Sequence, residues 1–441
     1  MNFIFKSTLS IVLITLSLAC FGQDSTDVSQ IYYTFSDKEQ DRVNDGVFLY
    51  RRGSIYSLMI SQPTRQFAKE IEDAFTNMPV PDRYYDHSIG KKVFQTTDKL
   101  NIKKLNKHQG FIINDTINPK EMNAIDMFLF KQEVASRLVA KWFQRKRKDG
   151  ICNVNLIQER GFHNASEAER RFAESTIRKE AILRDAGEEL IGSTFVLVND
   201  ISYYDKSEGS AIAGAVANVA VSTLGVVTGE TDLIGSDVVG NIISSAKGFN
   251  VKIKTYLYQL VWDEDIAGFF YTQIYSEEPN AQKKTNFENN RGKFSLKFIG
   301  MQESSGTNTS FLGINEDQPE LMVRKACQRA LDENVANLQK NFECFQIKAP
   351  LSSVTPLRSE IGLKEGVSES SRFEVLEAVE DEVGHITYKR VGIIKPQKGQ
   401  IWDNRFMAKE EGAPNAELGY STFDKVSGSN FVQGSLIREI K

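Results

Sequence analysis

Between two stretches of strong β character lie twenty-one residues without a single charge, Gly209 to Gly229, GSAIAGAVANVAVSTLGVVTG. A run of this kind has to be covered by its own domain, by another chain or by lipid. Ile212, Val216, Val219, Thr223 and Val226 recur at spacings of four, three, four and three, which is a helical seam. Alanines and glycines cover much of the remaining surface and allow close backbone approach. After the turn TGETD a second arm, LIGSDVVGNIISSAKGF, brings Val238, Val239, Ile242, Ile243 and Ala246, so residues 207–248 read as an inserted helical hairpin. Three partners for it stay open. It packs on its own domain, it meets a second copy through small-residue packing, or it enters a bilayer. The first arm is long enough to span. Its Ala, Gly, Ser and Thr transfer poorly into lipid, and Asn218 and Asp237 interrupt the apolar surface. Protein contact is therefore favoured over membrane contact.

Residues 1–22 have the three parts of a secretory leader: Lys6, the apolar run LSIVLITLSL and small residues before a polar start at Gln23. The expectation is an exported chain, periplasmic or outer-membrane associated. The competing reading is a lipobox with Cys20 as the lipidated N-terminus, which puts Leu18 where a small residue is usual and Ser17 where leucine is usual. Export permits disulfides, yet only Cys152, Cys327 and Cys344 follow the leader. Cys327 and Cys344 flank most of a predicted helix and would stand about 25 Å apart, so Cys152 with Cys344 is the candidate pair if one forms.

Residues 23–149 read as an N-terminal α+β domain. GVFLYRRGSIYSLMI suggests a hairpin about its central glycine, a helix follows between Pro63 and Pro79, and LNIKKLNKHQGFIIND suggests a second hairpin. Pro119 to Lys148 reads as one amphipathic helix, its apolar residues from Met122 to Trp142 falling three, four and five apart. Its tail, KWFQRKRK, is either a contact for anionic lipid or polyanion or a cationic helix C-terminus complementing the macrodipole, and the second reading is favoured.

Residues 150–354 read as a central α+β sandwich, with a boundary near Asp149 and Gly150. CNVNLIQ is expected as a strand, a charged helix to end at Gly192, STFVLVNDISYYD and FNVKIKTYLYQLVWD as strands, DEDI as a turn, AGFFYTQIYSEE and GKFSLKFIGMQESSG as strands, Pro319 to Phe342 as a helix and FQIKAPLSSV as a closing strand. Residues 355–441 are short strands and turns, consistent with a small antiparallel barrel. The whole is a multidomain α+β chain.

In the last region EIGLKEGVSESSRFEVLEAV, KRVGIIKP and SGSNFVQGSLIREI together resemble the C-terminal β domain of flagellar assembly protein T and related exported bacterial envelope proteins. The resemblance spans about 85 residues and implies a β module that accompanies α/β domains in envelope assembly. The central unit is similar in architecture alone to envelope sandwich domains such as that of the curli secretion channel.

Catalytic motifs are missing from the sequence: it holds no GxSxG, HExxH, P-loop, CxxC or strand-borne GxGxxG. Asp82, Asp86 and His87 in PDRYYDH form the best polar cluster, with a tyrosine-bearing surface loop as the favoured reading, and Asp263, Glu264 and Asp265 read as a solvated turn. The histidines are expected mainly in solvated loops. Trp402 and Phe406 either face a partner on the barrel or, in the favoured reading, Trp402 fills its core. The sequence calls for no cofactor and no metal. With 54 basic and 58 acidic residues there is no basic excess for nucleic acid.

The functional expectation is a non-enzymatic cell-envelope scaffold with protein partners, self-associating through residues 209–247 as a homo-oligomer. A pore or secretion-channel subunit whose hairpin enters the membrane is second. An exported enzyme with an unmarked site is third.

Overall fold

The computed structural model describes residues 53–81, 83–90, 92–95, 119–153, 155–164, 187–205, 247–310, 318–346, 348–380 and 386–440. The segment LNIKKLNKHQGFIIND, the hairpin seam Ile212, Val216, Val219, Thr223 and Val226, and the leader lie outside the described residues.

In chain order the first unit comprises β1 (Gly53–Ile60), α1 (Ala68–Asn77), β2 (Tyr84–Asp86), β3 (Val93–Phe94), α2 (Pro119–Lys131), α3 (Val134–Trp142), α4 (Asn155–Asn164), β4 (Thr194–Asp205), β5 (Lys247–Leu260), α5 (Glu264–Gln273), α6 (Ala281–Asn289), β6 (Leu296–Ser310) and α7 (Pro319–Asn341). The sheet runs β2-β1-β4-β5-β6, with β3 also on β1. β1 pairs in parallel with β4, and the β4–β5 and β5–β6 pairs are antiparallel.

Alternation places the core on both faces. Tyr56, Leu58, Val196, Val198, Tyr256 and Tyr258 face α2, α3, α5 and α6, whose Ile125, Leu138, Trp142, Phe270 and Phe287 close that layer. Met59, Ile201, Val251 and Ile253 face α1 and the N-terminal half of α7. From Thr255 on, β5 is buried on both faces, whereas Lys252 before it is exposed. One strand therefore switches from clean alternation to a continuous apolar run. Asn199, Thr255 and Asn334, trapped between sheet and α7, are paired: Thr255 donates to Asn199 Oδ1 at 2.6 Å, Asn334 donates to Thr255 Oγ1 at 2.8 Å, and Asn199 donates to the Leu58 carbonyl at 2.9 Å.

The second unit is a closed antiparallel barrel of β7 (Ala349–Val354), β8 (Leu357–Ser359), β9 (Arg372–Glu380), β10 (Ile386–Pro396), β11 (Ser421–Gly428) and β12 (Leu436–Ile440), in the order β10-β11-β8-β7-β12-β9. Leu351, Phe373, Val375, Ile394, Phe423 and Ile437 fill it. Hydrogen bonds fasten it to the sandwich: Arg83 donates to the Glu360 carbonyl, Gln346 to the Glu439 carbonyl at 2.8 Å, and the Phe406 amide to Asp332 Oδ2 at 2.7 Å. The α+β multidomain architecture and the C-terminal barrel are thus present. Among the described residues no helix is long and apolar enough to cross a membrane.

Several local expectations are corrected. Gly53 opens a parallel central strand instead of turning a hairpin, because a Cβ there would press on the Ser193 carbonyl, to which Ser54 donates at 3.0 Å. The expected break at Asp149 and Gly150 does not divide the sheet, since β1 pairs with β4 across it. Pro119–Lys148 is two helices, broken where Glu133 takes a left-handed φ of 50°, and its basic tail lies beyond the second. CNVNLIQ contributes to α4, not to a strand. DEDI and AGFFYTQIYSEE give α5, because Asp263 caps it by accepting from the Ile266 amide at 2.9 Å and Glu264 and Asp265 suit the first turn. The closing strand of the sandwich, Ala349–Val354, instead pairs with β8 and β12 in the barrel.

Candidate functional site

The tail that follows α3 builds a strongly charged concavity. α3 buries Val134, Leu138, Val139 and Trp142, which leaves Arg137, Ala140 and Lys141 on its other side. Beyond Trp142 the chain curls: the Arg145 amide donates to the Ala140 carbonyl at 2.8 Å, and the Lys146 amide to the Ile151 carbonyl at 2.9 Å. Gly150, at φ 77°, closes this loop. The Cys152 amide then reaches the Ser276 carbonyl at 2.8 Å and ties the loop to the segment before α6. α6 and the turn after it contribute Phe287 and Arg291.

The result is a cleft of about 370 Å³ lined by Arg137, Lys141, Arg145, Lys146, Arg147 and Arg291, with Ile89, Ala140, Ile151, Cys152 and Phe287 as apolar walls. Arg145 stands over the Phe287 ring at 4.0 Å, and Glu288 is 3.6 Å from its guanidinium. Arg291 pairs with Glu133 at 3.0 Å and Glu288 at 2.7 Å. Lys141 donates to the Ser88 carbonyl at 2.7 Å, and Arg137 donates to the Ile89 carbonyl.

Burial sets the electrostatics. It lowers Arg137 and Arg145, each further depressed by neighbouring Arg291, and brings Lys141 down to about 8. Burial also pushes the Cys152 thiol up to about 11, so it stays a neutral wall at ordinary pH. No three His, Cys, Asp or Glu side chains converge as a metal site among the described residues.

The residues singled out in the sequence fall elsewhere. Trp402 is half-buried, its indole donating to the Ala416 carbonyl at 3.1 Å, and Phe406 is half-buried with its amide on Asp332. Asp82 lies outside the described residues. Asp86 and His87 point to different environments: Asp86 is half exposed beside Lys92 at 3.8 Å. His87 is fully buried, stacked on Trp142 at 5.0 Å, with Nε2 3.1 Å from the Leu138 carbonyl. Its burial corrects the expectation of a solvated loop histidine. Cys152, Cys327 and Cys344 are free, the first two buried and the third exposed.

Sequence reasoning missed the cleft. The cluster KWFQRKRK was visible, but the helix-terminus account covers only Lys141, and nothing local joins it to Arg291. On either side of residues 206–246 the flanks are defined. β4 and β5 remain paired to Asp205 opposite Phe249, so residues 206–246 are the connection between two antiparallel neighbours. No protein-family model matches the sequence, and no curated protein matches it.

Proposed function

We propose that this chain is a non-enzymatic exported protein of the cell envelope, periplasmic or outer-membrane associated, that serves as an assembly and interaction module and self-associates through residues 209–247. The observation that carries the reading is the place of the insertion. Both of its ends leave the fold at the paired end of β4 and β5. A contact element attached there engages a partner without interrupting the sheet, and the seam of Ile212, Val216, Val219, Thr223 and Val226 supplies the apolar surface for a second copy. The barrel, hydrogen-bonded to the sandwich through Arg83, Gln346 and Asp332, adds a second surface for protein partners.

The chemistry of the cleft supports binding over turnover. Four of the six cations are guanidinium groups, which hold anions in place without exchanging protons near neutral pH, and the Lys141 ammonium, lowered to about 8, stays mostly protonated there. Export rests on the leader in residues 1–22.

Sedimentation equilibrium of the mature chain, with and without Gly209–Lys247, tests the reading. A dimer or larger species that becomes a monomer on deletion is the expected result. The same monomeric mass for both chains contradicts self-association.

A further inference from the structure

We propose that the cleft between α3, the loop 146–151 and α6 is a binding site for a small, multiply charged oxyanion of the phosphate or pyrophosphate type carried on a compact organic group. This inference stands apart from the self-association reading, since it uses none of the residues between β4 and β5.

Three observations carry it. First, charge is concentrated and under-compensated. Six cations line the cleft and no carboxylate does, while Asp86, Glu133, Glu288 and Asp149 are the acids that reach the cluster from outside. Lys146 and Arg147, both exposed, have no carboxylate partner among the described residues. The guanidinium groups of Arg137, Arg147 and Arg291 also lie close enough for Arg137 to feel the other two as repulsion, which a dianion between them relieves.

Second, one of the cations is built in. The Arg145 side chain is only 1% exposed, and its Nε has no hydrogen-bond partner among the described residues. Its ion pair with Glu288 at 3.6 Å is longer than a charge-assisted hydrogen bond, so a desolvated positive charge is held beneath the cleft floor. Arg137 Nε is likewise buried and unpartnered. Burying such groups is costly unless something balances them, and a low-dielectric wall strengthens their field in the cleft.

Third, size and wall chemistry select the class of ligand. A volume of about 370 Å³ falls in the range of small-molecule sites. Ile89, Ile151 and Phe287 give the organic part an apolar wall. Inorganic pyrophosphate carries the charge without that part and is the simplest probe. A phosphorylated metabolite and a lipid phosphate headgroup share the recognised chemistry.

Isothermal titration of the full mature chain with sodium pyrophosphate tests the site. Saturable one-site binding is expected, weakening as sodium chloride is raised. The double variant Lys146→Gln/Arg147→Gln changes only exposed side chains and is expected to lower affinity on the order of tenfold or more. Arg137→Gln gives a second reading, with circular dichroism confirming the fold of each. The control Lys398→Gln, on the exposed turn after β10, leaves affinity unchanged. Flotation with phosphatidylglycerol vesicles assigns the source. Floating that the double variant abolishes supports a lipid headgroup, and pyrophosphate binding without floating supports a soluble ligand. Absence of saturable pyrophosphate binding at low salt, or equal affinity in the parent and the double variant, overturns the proposal.

Discussion

Asp126 offers a quantitative check on the packing of α2 against the sheet. Its carboxylate lies on the buried face of α2, 3% exposed, and accepts from the Tyr258 hydroxyl at 2.8 Å. Burial raises its pKa from 3.8 to about 6, with the Tyr258 hydrogen bond pulling the other way. A carboxyl raised in the folded state binds more protons there than in the unfolded chain between these values, so its contribution to stability is largest below pH 3.8 and is lost as pH rises through 6. At about 1.36 kcal/mol per pH unit the loss is about 3 kcal/mol. Asp126→Asn keeps an acceptor for Tyr258 and removes the ionisation, while adding one buried amide donor that costs about 1–2 kcal/mol if unpaired. The variant is therefore expected to exceed the parent in stability by about 1–2 kcal/mol at pH 7. Between pH 7 and pH 4 its advantage should fall by about 2–3 kcal/mol. Urea unfolding followed by tryptophan fluorescence at both pH values measures this, because Trp142 and Trp262 lie in the same layer. A stability difference that is independent of pH refutes the burial of an ionisable Asp126.

His87 works in the opposite sense. Burial first, then Lys141 and Arg160, hold its pKa well below 6.5, so the unfolded chain takes up a proton below that pH and the folded chain does not. The His87 contribution to stability should fall by about 2 kcal/mol between pH 7 and pH 5, partly offset by a gain of about 1 kcal/mol from Asp126 over the same range, and His87→Phe, which keeps the stack on Trp142, should remove that fall in the same unfolding assay. Gly306→Ala places a Cβ against the Ala326 carbonyl and Ala330 amide of α7, and a loss of at least about 1–3 kcal/mol is expected in thermal or urea unfolding. Thiol titration of the native mature chain with a disulfide reagent should show one fast group, Cys344, while Cys152 and Cys327 react only on unfolding. Two fast groups would contradict the burial of one of them.

What the sequence made legible follows from which forces are local. β4, β5, β6 and α7 were readable because their patterns depend on their own period, and the barrel strands because turn residues separate them. The break between α2 and α3 had a trace, the spacing of five from Leu129 to Val134, which no continuous helical stripe accommodates. α5 was misread because its aromatics favour a strand, whereas the decisive group is a single capping carboxylate, Asp263. β1 required its partner: only beside β4 does Gly53 show its purpose as a close approach. The cleft was least legible, because Arg145 and Arg291 meet across 146 positions of chain, on the one Phe287 ring, and no local period encodes that meeting. The burial of His87 is of the same kind, set by Trp142 on a helix 55 positions away.

The claim that residues 209–247 bring two copies together is tested most directly by a cross-link at the seam. In a mature Cys344→Ser background, where Cys152 and Cys327 are buried, Val219→Cys is oxidised and the covalent species are counted by denaturing electrophoresis without reductant. Self-association through the seam predicts a disulfide-linked dimer as the main product, independent of dilution over the range in which the chain sediments as an oligomer. A monomer throughout, or a cross-link whose yield falls in proportion to concentration as for random collision, would contradict it.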